Sequence, residues 1–351
     1  MPKMILKKIH LQNFRNYSSQ EFTFTEGINL IVGPNTVGKT NLLEAIYLLA
    51  SRKSFRARLE KEMIQRNKEV ARLKGQILSD GEKKLLEIVL IRGEINGSRV
   101  GKKKYLVNGV PRRMIDFLEN FRVVYFGPQD LEIVVDSPSI RRGWLDLVLE
   151  QADKNYRRAN LSYQKGLRQR NRLLEQIRDE NKPRSSLFFW DKLLIGNGQL
   201  ITEKREEFLN FINENHEFFG QLEIYYDKSL ISETRLAKYA QEEVAAGATL
   251  VGPHRDDFEV GQDGQNLHAY GSRGEQRTAV FNLKLAELEF LSEKTGQRAV
   301  LLLDDIFSEL DHQRRKHLLT VIPKQQTIIT TTDIHLVEKN YLQEMEVIKL
   351  P

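Results

Sequence analysis

The stretch Gly33-Pro34-Asn35-Thr36-Val37-Gly38-Lys39-Thr40 decides the fold, since it matches the phosphate-binding pattern G-x-x-x-x-G-K-[ST]. An apolar run, 28–32, precedes it and predicts a strand, while apolar residues at helical spacing follow it. The two glycines let the backbone curl, so that successive N–H groups and the positive end of the next helix face an anion. We therefore expect residues 33–40 to bind a nucleoside triphosphate, with Lys39 at its β and γ phosphates, where it would also assist catalysis, and Thr40 on Mg²⁺.

A second element that indicates nucleotide binding lies towards the C-terminus, where the apolar run Ala299-Val300-Leu301-Leu302-Leu303 ends in two carboxylates, Asp304 and Asp305. A buried parallel strand would deliver both carboxylates to the carboxyl edge of its sheet, where ligands of open α/β sheets bind. We expect Asp304 to hold Mg²⁺ through water and Asp305 to orient or deprotonate an attacking water. The alternative is an ordinary strand capped by solvated acids.

The remaining pattern predicts mixed sheets and a helical insert. Strand-like runs separated by turn signals indicate an antiparallel sheet, at 4–11, 21–25, 70–78, 85–91 and 100–107. Near the C-terminus, helices alternate with strands and favour a parallel sheet, at 276–295, 299–303, 313–321 and 327–330. Between these regions, 137–220 keeps a helical period, with a hinge expected at 181–186 because Pro183 disfavours helix at the residue before it.

Composition narrows the class of protein. The 351 residues are 40% hydrophobic, which suffices for a buried core, and the longest apolar runs are far shorter than the roughly 18 residues that span a bilayer. The absence of cysteine excludes disulfides and cysteine-ligated zinc and fits a reducing compartment. With no secretion signal evident either, we expect a cytoplasmic protein that does not enter the membrane. A net charge of +6 allows a polyanionic partner.

Basic side chains concentrate after the phosphate-binding loop's helix and in the helical insert. Our candidate contacts to DNA phosphates are Arg52, Lys53, Arg56, Arg141, Arg142, Arg157 and Arg158. A basic helix face that is merely solvated is the alternative. Since no base-reading motif is evident, DNA binding would be independent of sequence and sensitive to salt.

The helix expected before the aspartate-tipped strand begins with the segment Tyr270-Gly271-Ser272-Arg273-Gly274-Glu275-Gln276. Its Ser272 and Glu275 have the spacing of a capping box, so a well-capped helix is the simplest interpretation. The segment also resembles the signature of ABC-type ATPases, while Glu309-Leu310-Asp311 resembles their D-loop and Gln129 their Q-loop. The resemblance implies that Ser272 and Gly274 contact the γ phosphate bound to a second copy. It also implies that Gln129 serves both the metal ion and hydrolysis.

The sequence departs from the ABC pattern at two places. Asp305 stands where Glu is usual, and its shorter side chain would suit slow hydrolysis. The switch histidine expected after the last strand is missing, because that strand runs into Thr330-Thr331-Thr332-Asp333. His335 lies beyond it, and we assign it no catalytic role.

Two further segments, Asn13-Phe14-Arg15-Asn16-Tyr17 and Gly252-Pro253-His254-Arg255-Asp256-Asp257, resemble motifs of the RecF family of DNA repair proteins. The resemblance implies that Arg15 and Asn16 lie near the adenine of ATP, and it leaves the roles of His254 and Arg255 open. It further implies binding to DNA at single-strand gaps or junctions, an ATP-dependent homodimer, and cooperation with RecO and RecR in loading the recombinase RecA.

Taken together, these patterns predict an α/β protein, an ABC-type P-loop ATPase head with mixed parallel and antiparallel sheets. The head would comprise 1–130 and 245–351, and 131–244 would form an inserted, mostly helical lid domain that faces DNA. ATP and Mg²⁺ would be the cofactors of a weak, DNA-stimulated ATPase that acts as a switch. The alternatives are the ATPase subunit of a membrane transporter, a P-loop kinase or nuclease, and a scaffold that binds ATP without hydrolysis.

Overall fold

The computed structural model describes residues 1–95, 98–99, 101–217, 219–309, 312–337 and 339–351. The chain divides into two compact units, 1–130 with 287–351 and 131–286. The predicted inserted domain was 131–244, and the second unit runs from Leu131 to Ala286. Segment 245–286 belongs with the second unit because strand Asp257–Gln262 pairs antiparallel with strand Leu222–Asp227.

The elements are numbered in chain order. The strands are β1 (Ile5–Phe14), β2 (Tyr17–Thr23), β3 (Ile28–Val32), β4 (Val70–Ser79), β5 (Glu82–Ile91), β6 (Glu94–Ile95), β7 (Ser98–Arg99), β8 (Lys103–Val107), β9 (Val110–Arg112), β10 (Val123–Phe126), β11 (Leu222–Asp227), β12 (Asp257–Gln262), β13 (Gln265–Asn266), β14 (Val300–Asp304), β15 (Thr327–Thr331) and β16 (Met345–Lys349). The helices are α1 (Lys39–Ala50), α2 (Met114–Phe117), α3 (Glu132–Val135), α4 (Pro138–Ala152), α5 (Lys154–Glu180), α6 (Phe188–Glu214), α7 (Glu233–Lys238), α8 (Ala240–Ala246), α9 (Leu267–Tyr270), α10 (Arg273–Thr295), α11 (Ile306–Glu309), α12 (His312–Val321) and α13 (Lys339–Leu342).

The first unit contains the two kinds of sheet that the sequence predicts. Among the described residues, an antiparallel sheet has the order β2-β1-β4-β5-β8-β9 and a parallel sheet has the order β10-β14-β15-β3-β16. The strand β4 alternates between buried and more exposed positions, as a sheet with one covered face requires, while β14 is buried along its length. Helix α1 packs against strands of both sheets. It approaches β4 closely at Gly75, where a Cβ atom would lie 2.6 Å from Leu49 Cδ1.

The second unit is mostly helical and is built around the hairpin of α5 and α6. Asn181 ends α5 with a left-handed φ of 55°, and Pro183 follows, so the predicted hinge at 181–186 is confirmed. The small sheet β11-β12-β13 was not predicted, because its strands are short and follow a long helical stretch. In the part of the chain that the structure describes, no helix is both long and apolar enough to cross a membrane.

Candidate nucleotide-binding site

The predicted phosphate-binding loop joins β3 to α1 in the first unit, as the motif requires. Gly38 adopts a φ of 117°, and a Cβ atom there would lie 2.6 Å from the Asn16 amide nitrogen. Thr36 also has a left-handed φ, of 72°. These conformations bend residues 33–38 into a loop that leads directly into the N-terminus of α1, where a phosphate can accept from backbone N–H groups.

The Lys39 ammonium lies across this loop. Its Nζ donates to Gly33 O at 2.6 Å and to Pro34 O at 2.9 Å, and the residue is only 7% exposed. Burial lowers the pKa of Lys39, while the nearby charges of Asp305 and Asp304 act in the opposite direction. The cation is therefore close to both predicted acidic residues and can exchange its carbonyl partners for phosphate oxygens.

Asp304 meets Thr40 at the carboxyl edge of the parallel sheet. Strand β15 lies between β3 and β14, and Thr330 on β15 is paired with Asp304 in the register of the sheet. Asp304 Oδ1 accepts from the Thr40 hydroxyl at 3.1 Å and from the Thr330 hydroxyl at 2.7 Å. Its Oδ2 accepts from the Tyr125 hydroxyl at 3.1 Å. The carboxylate is thus oriented by three hydroxyl donors.

The oxygen donors of Thr40 and Asp304 fit Mg²⁺, which prefers oxygen ligands and is usually held by one or two carboxylates, phosphates and water. Among the described residues there is no group of three or more His, Cys, Asp or Glu that could hold a metal ion without further ligands. The two side chains would therefore hold the ion together with the phosphates of a bound nucleotide. Bound there, Mg²⁺ would neutralise charge on those phosphates.

Asp305 follows Asp304 with a left-handed φ of 53°. Its backbone N–H donates to Thr330 O at 3.1 Å and lies 3.2 Å from the Thr330 hydroxyl oxygen. The sharp change of backbone direction ends β14 at the point where the two carboxylates lie near Lys39.

Gln129 is exposed on a 3₁₀ turn, Pro128–Leu131, that follows β10. Because β10 pairs in parallel with β14, this turn lies at the same edge of the sheet as Asp304. A hydrogen bond of 2.8 Å from Gly127 N to Asp130 Oδ2 shapes the turn. Of the predicted D-loop, Leu310 and Asp311 lie outside the described residues.

The N-terminal motif braces the loop and helix α1. Asn16 Nδ2 donates to Val37 O at 2.8 Å, within the phosphate-binding loop. Arg15 forms a bidentate pair with Glu44, at 2.8 and 2.6 Å, and also donates to Glu62 O. Glu44 is fully buried and was missed from the sequence, where its only signal was a single carboxylate within the apolar series of α1. An adenine contact by Arg15 and Asn16 stays a prediction.

The signature segment lies in the second unit, and its capping box is confirmed. Glu275 Oε2 accepts from Ser272 N at 2.7 Å and from the Ser272 hydroxyl at 2.8 Å, and these bonds lower the pKa of Glu275. Ser272 and Gly274 are both exposed. A Cβ atom at Gly274 would have only the Ser272 Oγ within reach, at 3.9 Å, so this helix start is open to a ligand.

In the first unit, the segment that follows α1 contributes an exposed basic surface. Lys53 and Arg56 are exposed and Arg52 is half-buried. Arg56 also donates to Asn41 Oδ1 at 2.9 Å. A cleft of about 690 Å³ opens beside this segment, and its basic lining residues are Arg52, Lys53, Arg58, Lys61, Arg92, Lys102 and Lys103.

In the second unit, the expectation of an exposed basic face requires correction at two positions. Arg157 is 1% exposed and donates to Glu150 O at 2.7 Å, while the buried Arg141 pairs with Asp257 at 2.6 and 2.8 Å. Both guanidinium groups serve internal contacts, which sequence spacing could not reveal. Arg142 is half-buried, and Arg158 is exposed.

Hydrogen bonds join one segment of the second unit to several of its other elements. This segment is Gly252-Pro253-His254-Arg255-Asp256-Asp257. Gly252 has a φ of 126°, and a Cβ atom there would lie 2.3 Å from the Tyr163 hydroxyl oxygen. His254 lies 2.8 Å from the same hydroxyl and 2.9 Å from Thr249 O, and burial lowers its pKa to about 4. The fully buried Asp256 accepts from Arg205 at 3.1 Å. Arg255, in contrast, is exposed.

His335 is exposed, and its backbone N–H donates to Asp333 Oδ1 at 2.8 Å. This bond caps a short 3₁₀ turn, Ile334–Leu336. The contacts seen at His335 therefore involve its backbone and support no catalytic assignment.

Comparisons with known proteins agree with this geometry. The family model "RecF/RecN/SMC N terminal domain" matches residues 5–349. The chain is 36% identical to the DNA replication and repair protein RecF of Oceanobacillus iheyensis, over 99% of this chain and 98% of that protein. It is 35% identical to the corresponding protein of Lachnoclostridium phytofermentans, again over 99% and 98%.

Solved structures give the same result. The structure of the recombination mediator protein RecF-ATP in the RecFOR pathway is similar, with a TM-score of 0.88 and 37% identity over 96% of this chain and 94% of that one. A second, of RecF-ATPrS in the same pathway, has a TM-score of 0.87 and 36% identity over 96% and 95%. The predicted ABC-type head fold is confirmed, and the transporter alternative is not favoured.

Proposed function

The chain belongs to the RecF family of DNA replication and repair proteins, and on that premise we propose that it binds DNA under the control of ATP in recombinational repair and replication restart. The observation that carries this proposal is the hydrogen bond of 3.1 Å between Thr40 and Asp304, with the Lys39 ammonium close by. Loop, lysine, hydroxyl and carboxylate together form the parts that bind a nucleoside triphosphate with its Mg²⁺.

In this proposal, the backbone of residues 33–38 and the Lys39 ammonium hold the β and γ phosphates of ATP. Asp305 orients or deprotonates the attacking water, and Gln129, at the same sheet edge, contacts the metal ion or that water. The short side chain of Asp305 suits slow turnover. Hydrolysis would then act as a switch, and DNA would stimulate it.

A second copy of the chain would complete each site. Ser272 and Gly274 are exposed at the start of α10, where the positive helix end lies and where the Ser272 hydroxyl could exchange its Glu275 partner for a phosphate oxygen. Such a tip suits the γ phosphate of an ATP molecule held by the other copy. ATP would thereby hold two copies together, and loss of the γ phosphate would let them separate.

The DNA contacts would come from basic side chains that solvent can reach. These are Lys53, Arg56, the half-buried Arg52 and Arg142, and Arg158. Such contacts to phosphates do not depend on base sequence, so a preference for gaps or junctions would come from DNA shape and flexibility. RecR and RecO would be protein partners by membership in the family, and the protein would work in the cytoplasm.

DNA binding to gapped, single-stranded and duplex substrates, with and without ATP and at two salt concentrations, tests the proposal. We expect ATP to tighten the binding of gapped DNA more than that of the other substrates, and all binding to weaken at higher salt. Lys39→Ala should remove the effect of ATP while leaving the ATP-independent binding in place. Equal binding to every substrate with and without ATP would contradict the proposal.

A further inference from the structure

Tyr125 is a buried tyrosine beside the predicted metal site that none of the motifs explains. It lies on β10 and is 4% exposed, and its hydroxyl donates a hydrogen bond of 3.1 Å to Asp304 Oδ2. The phosphate-binding pattern and the aspartate-tipped strand do not require a tyrosine at this position. The contact therefore calls for an explanation from the geometry around it.

Residue 127 leaves room for this hydroxyl. A Cβ atom at Gly127 would lie 2.2 Å from the Tyr125 hydroxyl oxygen and 2.6 Å from its Cζ. Contacts this short do not occur between real side chains, so even an alanine at 127 would displace the phenol. Tyr125 and Gly127 thus form a matched pair, in which the missing side chain of one admits the hydroxyl of the other.

Aromatic neighbours hold the Tyr125 ring in place. Phe55 stacks on it with 4.0 Å between the ring centroids and 17° between the planes. Tyr47 packs edge-on against Tyr125 at 5.9 Å and against Phe55 at 5.2 Å. Close packing on these sides leaves the ring little freedom to rotate, so the hydroxyl is presented to Asp304 at a fixed position.

The two oxygens of Asp304 have separate partners. Oδ1 accepts from the Thr40 and Thr330 hydroxyls, whereas Oδ2 accepts from Tyr125. Without the phenol, Oδ2 would lose the Tyr125 hydroxyl as a donor and the carboxylate could turn about its side-chain bonds. A carboxylate that must meet both a metal ion and the Thr40 hydroxyl works best when its plane is fixed beforehand.

We propose that Tyr125 is a positioning residue that fixes the Asp304 carboxylate for the Mg²⁺ of bound ATP, in a pocket that exists only because residue 127 is glycine. This inference rests on the proposed function, since it assigns a role within the same site. Tyr125 acts through Asp304 and does not touch the nucleotide.

The test is the affinity for ATP of Tyr125→Phe, measured with Mg²⁺ and again with EDTA. The variant keeps the ring and its stacking on Phe55 and removes only the hydroxyl. We expect the affinity in EDTA to be unchanged and the tightening by Mg²⁺ to fall about fivefold, the effect of one lost hydrogen bond. A structural role alone would change the thermal stability without changing this ratio.

Gly127→Ala provides an independent test, because its methyl group must displace the Tyr125 hydroxyl. It should reduce the Mg²⁺ effect in the natural background and have no further influence in Tyr125→Leu, where no phenol is present to be displaced. Tyr105→Phe is the matched control, since Tyr105 lies in the antiparallel sheet of the same unit against Phe117. It should behave as the wild type does.

A wild-type ratio in Tyr125→Phe would overturn the inference, and so would an equal effect of Gly127→Ala with and without the phenol. A wild-type protein that binds ATP equally well with Mg²⁺ and with EDTA would also overturn it. Failure of the wild type to bind ATP at all would instead contradict the proposed function. The two failures are therefore distinguishable.

Discussion

The Thr40 hydroxyl donates to Asp304 Oδ1 over 3.1 Å, although 264 positions separate the two residues in the sequence. Thr40 lies in the first turn of α1, near the N-terminus of the chain, and Asp304 ends β14, near the C-terminus. The order β14-β15-β3 in the parallel sheet brings them together, with Thr330 bonded to the carboxylate between them. Both ends of the chain are therefore needed to build the predicted metal site.

A first prediction follows for Thr40. Thr40→Ala removes a hydroxyl that serves both Asp304 and the expected Mg²⁺, so the tightening of ATP binding by Mg²⁺ should fall by about tenfold. Thr40→Ser keeps the hydroxyl and should retain most of that tightening. Titration calorimetry with Mg²⁺ and with EDTA measures both. Similar losses in the two variants would show that the methyl group, not the hydroxyl, matters.

A second prediction concerns Lys39. Because its ammonium would form charged hydrogen bonds to phosphate, Lys39→Ala should weaken ATP binding by roughly ten- to hundredfold, with or without Mg²⁺. Lys7→Ala, which removes a partly exposed lysine paired with Glu26, is the control and should bind ATP normally. Unchanged ATP affinity in Lys39→Ala would place the nucleotide elsewhere.

A third prediction separates exposed from buried arginines in the second unit. Arg158→Ala should weaken DNA binding and reduce the slope of log affinity against log salt by about one, if Arg158 contacts one phosphate. Arg157→Ala should leave that slope unchanged, since its guanidinium is buried on Glu150 O, and should lower the free energy of unfolding by about 1–3 kcal/mol. The reverse pattern would mean that this helix turns a different face to DNA.

A fourth prediction is a pH dependence of stability from His254. Its Nε2 faces Thr249 O, which can only accept, so Nε2 carries the proton and Nδ1 accepts from the Tyr163 hydroxyl. Burial lowers the pKa to about 4 from 6.5, and the charges of Arg255, Arg142 and Arg170 act in the same direction. The folded state therefore holds the neutral ring.

Between these two pKa values the unfolded chain binds the additional proton, so stability is complete above pH 6.5 and declines as the pH falls towards 4. From about pH 7 to pH 5, His254 should account for a loss of about 2 kcal/mol in the free energy of unfolding. Urea titrations of the wild type and His254→Gln at both pH values isolate this contribution from that of the carboxylates. Equal declines in the two proteins would refute it.

The site's linear motifs could be predicted from the sequence, because their chemistry depends on local spacing. The loop at 33–40, the aspartate-tipped strand and the Ser272–Glu275 capping box lie on the predicted elements. The hinge at 181–186 was predictable because proline acts on its immediate neighbour. These features need no knowledge of distant contacts.

What the sequence could not provide depends on partners far along the chain. Arg157 and Arg141 look like a basic face in the sequence, and only the packing of the second unit shows that they are buried. The bonds of Glu44 to Arg15 and of Tyr125 to Asp304 join residues 29 and 179 positions apart. Neither pair forms a pattern that periodicity or spacing could detect.

Sedimentation velocity tests most directly the proposal that ATP joins two copies of this chain. The wild-type protein should sediment as a monomer of 40.8 kDa without nucleotide and at twice that mass with Mg²⁺ and a non-hydrolysable ATP analogue. Ser272→Ala should bind the analogue and remain a monomer. A wild type that binds the analogue normally yet stays monomeric at every protein concentration would contradict the account.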